Sequence, residues 1–123
     1  MTACIVGWAH TPFGRLDAET VESLVVKVAT AALADAGVAA HEVDEILLGH
    51  FNGGFSAQDF TAALVLQASP DFRFKPATRV ENACATGSAA VHQGLKAIAA
   101  RIAVSSVSLL GWRLRSSGRS LSG

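Results

Sequence analysis

The apolar positions along the chain predict strands and helices in alternation. A short apolar run at residues 3–9, ACIVGWA, has the β-branched content and the flanking turn residues of a buried strand. From Asp17 to Ala36 apolar residues recur at three- and four-residue steps, with acidic residues in the first turn, which predicts an amphipathic helix. Gly37 stands where a left-handed C-cap is expected, and Val43 to about Gly49 then predicts a second strand.

The same alternation continues through the second half of the chain. After a glycine-rich loop, FNGGFSAQ, the segment DFTAALVLQAS predicts a second helix, and Ala77 to Glu81 predicts a third strand. The Ala-rich segment from Cys84 to about Ala100 predicts a third helix, and VSLLGW begins like a fourth strand. Strands and helices at this spacing favour an α/β fold, with a mainly parallel sheet and helices on both of its faces.

The last stretch of the chain differs in composition from the rest. After VSLLGW the sequence loses its apolar periodicity in a tail rich in Arg, Ser and Gly. Such a tail cannot bury enough apolar surface to offset the entropy of ordering, so we expect it to be disordered. The predicted organisation is one partial domain at residues 1–103 and a divergent tail at residues 104–123.

Length and charge exclude several classes of protein. The chain has 123 residues, half of them hydrophobic, which suits one modest core. Ten basic residues balance ten acidic residues, so no net field would draw the chain to nucleic acid or to an anionic membrane. The N-terminus lacks the charged region of a signal peptide, and no apolar run is long enough to span a bilayer. We therefore expect a soluble, cytoplasmic protein.

The two cysteines, Cys4 and Cys84, have neither CxxC spacing nor a Cys/His cluster, so we expect free thiols and no metal site. Cys4 lies in the first predicted strand and should pack as a small hydrophobic residue. Cys84 falls at the turn from the third strand into the third helix. In a parallel sheet, ligands gather outside the carboxyl ends of the strands, so this thiol is placed where chemistry commonly occurs.

A helix start at Cys84 would favour a thiolate, because the free N–H groups and the positive end of the helix dipole stabilise a negative charge. The residues that follow, Ala85 to Ala90, are small and would let a bulky ligand approach. On location alone, however, a buried structural cysteine is the commoner role.

A nucleophilic cysteine also needs a base. His92 lies about 12 Å farther along the same predicted helix and is excluded on distance. His50 ends the second predicted strand on the same sheet edge as Cys84, with Asn52 two residues on, although an ordinary loop histidine is the commoner case. His10 and His41 have no acidic or thiol neighbours at a spacing that would form a site, so we assign them no role. No phosphate-binding glycine motif opens any helix.

At this point the sequence resembles a known family. VENACATGSAAVHQGLKAI, read as Asn82, Cys84, Thr86 and Gly87, resembles the nucleophile segment of the thiolases. IVGWAHTPFGR resembles the thiolase opening strand, and ADAGVAAHEVDEILLGHFNGG resembles the first crossover and second strand. The resemblance covers about residues 2–102 and is nearest to the acetyl-CoA acetyltransferase and sterol-carrier-type branch.

The resemblance implies an acyltransferase that works through a covalent acyl-cysteine. Cys84 would be the nucleophile, and Asn82, Thr86, Gly87, His50 and Asn52 would bind substrate or support it. Acyl-CoA would be the substrate, with no resident cofactor and no metal, and the full-length parent would be a homo-oligomer. The competing interpretations are a non-catalytic thiolase-like fragment serving as an interaction module and, more weakly, a thiol-based redox or acyl-carrying protein, against which the absence of a resolving cysteine weighs.

The resemblance also implies that much of a thiolase has no counterpart in these 123 residues. The catalytic histidine and second cysteine of the C-terminal half are missing, so we expect the chain to be inactive alone. After about Ala103 we see no thiolase counterpart, and an abrupt change to Ser/Arg/Gly-rich sequence suggests a frameshift near that position.

Overall fold

The computed structural model describes residues 3–54 and 56–100, together with the backbone of one strand at residues 106–110. The helices and strands alternate as expected for an α/β protein. In chain order they are α1 (Val21–Ala36), β1 (Glu45–Gly49), β2 (Ala77–Val80), α2 (Thr86–Ala99) and β3 (Ser106–Leu110). In the described residues four 3-10 helices lie between these elements, at Ala40–Glu42, Thr61–Ala68, Pro70–Phe72 and Ala83–Ala85.

A reciprocal cap sets the start of α1. The Thr20 hydroxyl accepts a hydrogen bond from the Ser23 N–H at 3.1 Å, and the Ser23 hydroxyl accepts one from the Thr20 N–H at 2.9 Å. The helix therefore begins at Val21, four residues after the predicted Asp17. It ends as predicted at Ala36, where Gly37 takes the left-handed conformation at φ 65°.

The three strands form one parallel sheet in the order β2–β1–β3. Gly49 at the end of β1 is level with Val80 of β2 on one side and Leu110 of β3 on the other. The carboxyl ends of all three strands therefore meet at one edge of the sheet. The predicted parallel sheet is confirmed, and the predicted fourth strand is found at Ser106–Leu110.

The side chains of β1 alternate between two packed faces. Ile46 and Leu48 join the main core, where they pack against α1 and the 3-10 helix Thr61–Ala68. Leu47 is also buried and points to the opposite face, which α2 covers. Helices thus cover both faces of the sheet, as predicted. The other buried hydrophobic residues of the main core are Val25, Ala29, Val43, Ala62, Val65 and Phe72.

The first predicted strand is wrong. Residues 3–9 form no strand and pair with none of the three strands of the described sheet. The segment instead lies against the end of α1, where the Trp8 N–H donates to Asp35 Oδ2 at 3.0 Å. Cys4, which we expected to be packed inside, is exposed there.

Two of the predicted helices also differ from expectation. The second is a 3-10 helix over Thr61–Ala68, and nothing in its hydrophobic pattern distinguishes this tighter winding from an α-helix. The third begins at Thr86 and not at Cys84, because Cys84 and Ala85 belong to the preceding 3-10 turn Ala83–Ala85. The predicted boundary at residue 103 lies outside the described residues, as does most of the tail at residues 104–123 that we expected to be disordered; the strand Ser106–Leu110 falls within that tail.

Candidate functional site

The ends of β1 and β2 bring most of the predicted site residues to the same edge of the sheet. The His50 N–H, one residue past β1, donates to the Val80 carbonyl at 3.2 Å, so it continues the pairing of the two strands. The turn carrying Asn82 and Cys84 follows directly after Val80. The structure therefore places His50 and the Cys84 turn on the shared carboxyl edge, as the sequence predicted.

The turn from β2 into α2 has an unusual backbone. Asn82 lies at φ −154° and ψ 56°, and Ala83 has a positive φ of 43°. A positive φ is disfavoured for any residue with a Cβ, by about 1–3 kcal/mol. The turn then winds through the single 3-10 turn Ala83–Ala85, in which the Ala85 N–H donates to the Asn82 carbonyl at 2.8 Å. Cys84 sits at the middle of this turn and is exposed.

Thr86 closes the turn from the helix side. Its hydroxyl accepts a hydrogen bond from the Asn82 N–H at 2.9 Å and donates one to the Ala83 carbonyl at 2.7 Å. The residue is 4% exposed, so these bonds are partly shielded from water, although Asn82 and Ala83 themselves are exposed. Gly87 follows in the first turn of α2 and adds no side chain there. The helix start is consequently small and open next to an accessible thiol.

His50 is buried at 8% exposure, and its imidazole Nδ1 lies 3.1 Å from the Thr61 hydroxyl oxygen. Burial lowers the pKa of His50 below its ordinary value, since the charged imidazolium loses hydration. The positive charge of Arg79 lowers this pKa further, and the negative charge of Asp59 opposes the shift. These effects favour neutral imidazole, the form that can accept a proton.

Asn52 organises the loop that follows β1. Its side-chain amide donates to the Ser56 carbonyl at 2.9 Å and to Asp59 Oδ1 at 3.3 Å, and its side-chain oxygen accepts from the Ser56 N–H at 3.1 Å. Asp59 also pairs with Arg79 of β2 at 2.7 Å. Asn52 is therefore tied to β2 through Asp59. Thr61, Asp59 and Arg79 were not predicted from the sequence, because they belong to no motif and come together only through folding.

The structure does not bring all the predicted residues into direct contact. Within the described residues, the Cys84 thiol forms no hydrogen bond, and the imidazole of His50 hydrogen-bonds to Thr61. The candidate nucleophile and the candidate base thus share an edge of the sheet without a hydrogen bond joining them. Cys84 is accessible to an external electrophile, which is the first requirement of a covalent nucleophile.

Other features of the chain lie away from this edge. His10 stacks between Trp8 and Phe13 in the N-terminal segment, and His92 lies midway along α2. A cavity of about 250 Å³ opens between that segment and α1, and none of the predicted site residues lines it. In the described ranges we find no cluster of three or more potential metal ligands. No helix there has the length and apolar character needed to cross a membrane.

Comparisons with known proteins agree with this arrangement. The family model described as "Thiolase, N-terminal domain" matches residues 3–111, which extends past the residue 103 at which the visible resemblance ended. An acetyl-CoA acetyltransferase of Methanocaldococcus jannaschii is 34% identical over 96 residues, covering 77% of this chain and 24% of the relative. One from Methanothermobacter thermautotrophicus is 30% identical over 96 residues, covering 77% of this chain and 25% of the relative. The chain thus spans about a quarter of the length of these curated relatives.

A solved structure shares the fold. 3-Oxoacyl-[acyl-carrier-protein] synthase III from Aquifex aeolicus superimposes with a TM-score of 0.55 at 24% sequence identity, over 71% of this chain and 28% of that one. At 24% identity, this structural similarity supports only a shared fold. The family match, however, covers most of the chain and includes the Cys84 turn and all three strands of the sheet. The chain therefore belongs to the thiolase family, and its residues 3–111 match the model of the N-terminal domain.

Proposed function

We propose that this chain carries the nucleophile of a thiolase-type acyl-CoA acyltransferase, and that Cys84 is that nucleophile. The Cys84 thiolate attacks the carbonyl carbon of an acyl-CoA thioester and forms a new carbon–sulfur bond. The bond from that carbon to the sulfur of coenzyme A breaks, and coenzyme A leaves as a thiol with the proton that Cys84 gave up. In the second step a second acyl-CoA gives up a proton and forms a bond to the acyl carbon. The bond from that carbon to the Cys84 sulfur breaks, and the proton restores the Cys84 thiol.

The observation that carries this proposal is the placement of Cys84. It is an exposed thiol in the turn directly after a parallel strand, at the carboxyl edge of the sheet of a thiolase-family chain. The curated relatives are acetyl-CoA acetyltransferases, which favours an acyl-CoA as the substrate. The small residues that begin α2, among them Gly87, leave room for such a ligand.

The remaining residues have supporting roles in this proposal. His50, kept neutral by burial, would accept or return a proton at the substrate, and Asn52 holds the loop beside it. Asn82, Thr86 and Gly87 shape the turn and the helix start around the thiol. No resident cofactor and no metal takes part, and acyl-CoA enters only as a substrate.

We further propose that the 123-residue chain does not turn over alone. No hydrogen-bonded base reaches Cys84 in the described part of the chain, so attack would depend on thiolate formed without assistance. The N-terminal segment also exposes Ile5, Val6, Trp8 and Phe13. Such an apolar surface favours association, in keeping with a homo-oligomeric parent, and also fits the alternative of a non-catalytic interaction module. The proposed location is the cytoplasm.

Intact-mass analysis after incubation with acetyl-CoA tests the role of Cys84. The wild-type chain should gain one acetyl group, and Cys84→Ala should gain none. Cys4→Ser is the matched control, because Cys4 is the other exposed thiol and should contribute no adduct. Circular dichroism would show that all three proteins are folded.

Two results would contradict the proposal. Equal acetylation of the wild type and Cys84→Ala would assign the adduct to another group. Absence of any adduct on folded wild-type protein would show that Cys84 is not a competent acyl acceptor in this chain, which would favour the interaction module.

A further inference from the structure

The Thr86 hydroxyl connects two backbone groups on opposite sides of the least regular part of the Cys84 turn. It accepts from the Asn82 N–H at 2.9 Å and donates to the Ala83 carbonyl at 2.7 Å. The Thr86 hydroxyl oxygen is thus the acceptor for one backbone N–H and the donor to one backbone carbonyl just before α2. Thr86 is almost completely buried, whereas Asn82 and Ala83 are exposed, so both bonds are partly shielded from water.

These two backbone groups enclose four dihedral angles. Between the N–H of Asn82 and the carbonyl of Ala83 lie the φ and ψ of both residues and no other rotatable backbone bonds. Both residues are outside the helical range, Asn82 at φ −154° and ψ 56°, and Ala83 at a positive φ of 43°. A hydroxyl bonded at both ends of this unit therefore restrains all four angles.

Ala83 makes such a restraint necessary. A positive φ is normally found at glycine, or at asparagine and aspartate, whose side chains can bond locally. Alanine has a Cβ but no polar side-chain atom, so the conformation must be held by its surroundings. The next residue along the chain is Cys84, and the direction of its Cα–Cβ bond follows from the angles of the residue before it.

We propose that Thr86 is a positioning residue for Cys84, because its hydroxyl fixes the Asn82–Ala83 backbone and so sets the direction of the thiol. This inference rests on the proposed function of Cys84 as the acyl-accepting nucleophile. Thr86 does not touch the substrate in this role and acts only through the backbone. The Ser88 hydroxyl, in contrast, donates to the Ala85 carbonyl at 3.0 Å and reaches neither end of that unit.

Three variants separate positioning from a general effect on folding. Thr86→Val keeps the shape of the side chain and removes both hydrogen bonds. Thr86→Ser keeps the hydroxyl and removes only a methyl group. Ser88→Ala removes a helix-start hydroxyl that lies outside the Asn82–Ala83 unit, and serves as the matched control. All are made in a Cys4→Ser background, so that Cys84 is the sole thiol.

The first measurement compares two reactions of the same sulfur. Acetyl transfer from acetyl-CoA needs a directed thiol, whereas alkylation by iodoacetamide requires no fixed direction. Thr86→Val should lower the rate of acetyl transfer about tenfold or more and change alkylation by less than about twofold, because misplacement of about 1 Å can cost up to about 10²-fold. Thr86→Ser should restore acetyl transfer, and Ser88→Ala should leave both rates unchanged.

The second measurement does not depend on acyl transfer. A trifluoromethyl ketone tag on Cys84 should give one fluorine NMR resonance in the parent, in Thr86→Ser and in Ser88→Ala. Thr86→Val should give two or more resonances, because the Asn82–Ala83 unit is then free to change conformation. Circular dichroism confirms that each variant is folded before the comparison is made.

The outcomes distinguish the two proposals. If the parent is acetylated, equal acetyl transfer by Thr86→Val overturns the positioning role. If the parent is not acetylated, the proposed function fails, and the fluorine spectra still decide the inference about Thr86. A single, unshifted resonance in Thr86→Val would overturn it, and several resonances with rescue by Thr86→Ser would support it.

Discussion

The imidazole Nδ1 of His50 and the hydroxyl oxygen of Thr61 lie 3.1 Å apart, and both residues are buried. The bond joins the end of β1 to the first residue of the 3-10 helix Thr61–Ala68. It therefore closes the loop between them, in which Asn52, Ser56 and Asp59 hydrogen-bond to one another. One buried contact thus anchors the loop at the carboxyl edge of the sheet to the core beneath it.

Removal of the Thr61 hydroxyl should destabilise the fold. Thr61→Val preserves the shape of a fully buried side chain and leaves the His50 ring nitrogen without this partner. We expect the free energy of unfolding to fall by about 1–3 kcal/mol, the usual penalty for an unsatisfied buried polar group. Urea denaturation would measure it. Thr78→Val on the exposed side of β2 is the control and should change stability by less than about 0.5 kcal/mol. Equal losses in both variants would contradict this account.

Burial of His50 should make stability depend on pH. Its pKa is lowered from 6.5, so on acidification the unfolded chain takes up a proton before the folded chain does. Stability should therefore fall as the pH drops through about 6.5 towards the lowered pKa of the folded state, by at most about 1.4 kcal/mol per pH unit. Urea titrations between neutral and mildly acidic pH would show the slope. His50→Gln should flatten it, and an unchanged slope would refute the prediction.

Removal of the charge of Arg79 and removal of the charge of Asp59 should shift the pKa of His50 in opposite directions. Arg79→Gln removes a positive charge that lowers the pKa of His50, so this pKa should rise. Asp59→Asn removes the charge that opposes the shift, so the pKa should fall further. NMR titration of the His50 ring measures both. A shift of the same sign in the two variants would show that their effect is not electrostatic.

Two phenylalanines near one another in the sequence should differ sharply in their contribution to stability. Phe72 is fully buried in the main core, whereas Phe74 is completely exposed at a positive φ of 66°. Phe72→Ala should lower the free energy of unfolding by about 3–5 kcal/mol, because it leaves a cavity. Phe74→Ala is its matched control and should change stability by less than about 0.5 kcal/mol. A large loss for Phe74→Ala would place that side chain in a packed environment.

Gly7 should be needed for the N-terminal segment to lie against α1. A Cβ at this position would come within 2.6 Å of Ala36 Cβ and 2.8 Å of the Ala32 carbonyl oxygen. Gly7→Ala should therefore displace the segment and break the hydrogen bond from the Trp8 N–H to Asp35. Hydrogen exchange of the Trp8 amide should accelerate about tenfold or more, as expected for local opening.

Asp35→Ala provides the control for this measurement, because it removes the acceptor of the Trp8 amide without adding a clash. Both variants should accelerate exchange at Trp8 and leave exchange in β1 unchanged. If Gly7→Ala left the Trp8 amide protected, the close approach to α1 would not limit the position of the segment.

The sequence by itself determined the elements whose signals are local. The end of α1 could be predicted from two local signals, the spacing of its apolar residues and the glycine at position 37. Both signals depend only on residues close together in the sequence. The apolar runs of β1 and β2 located two strands of a parallel sheet, and so placed His50 and the Cys84 turn at one edge. The start of α1 was misplaced because its cap depends on paired side-chain bonds of Thr20 and Ser23.

Only the tertiary structure decided which strands pair and which side chains from different elements come into contact. Residues 3–9 have the composition of a strand, yet they form none and lie against α1, where the Trp8 N–H donates to Asp35. The burial of His50 against Thr61, the pairing of Asp59 with Arg79 and the closure of the Cys84 turn by Thr86 likewise depend on groups brought together by folding. Periodicity records which face of an element is apolar, whereas these contacts depend on what packs against that face.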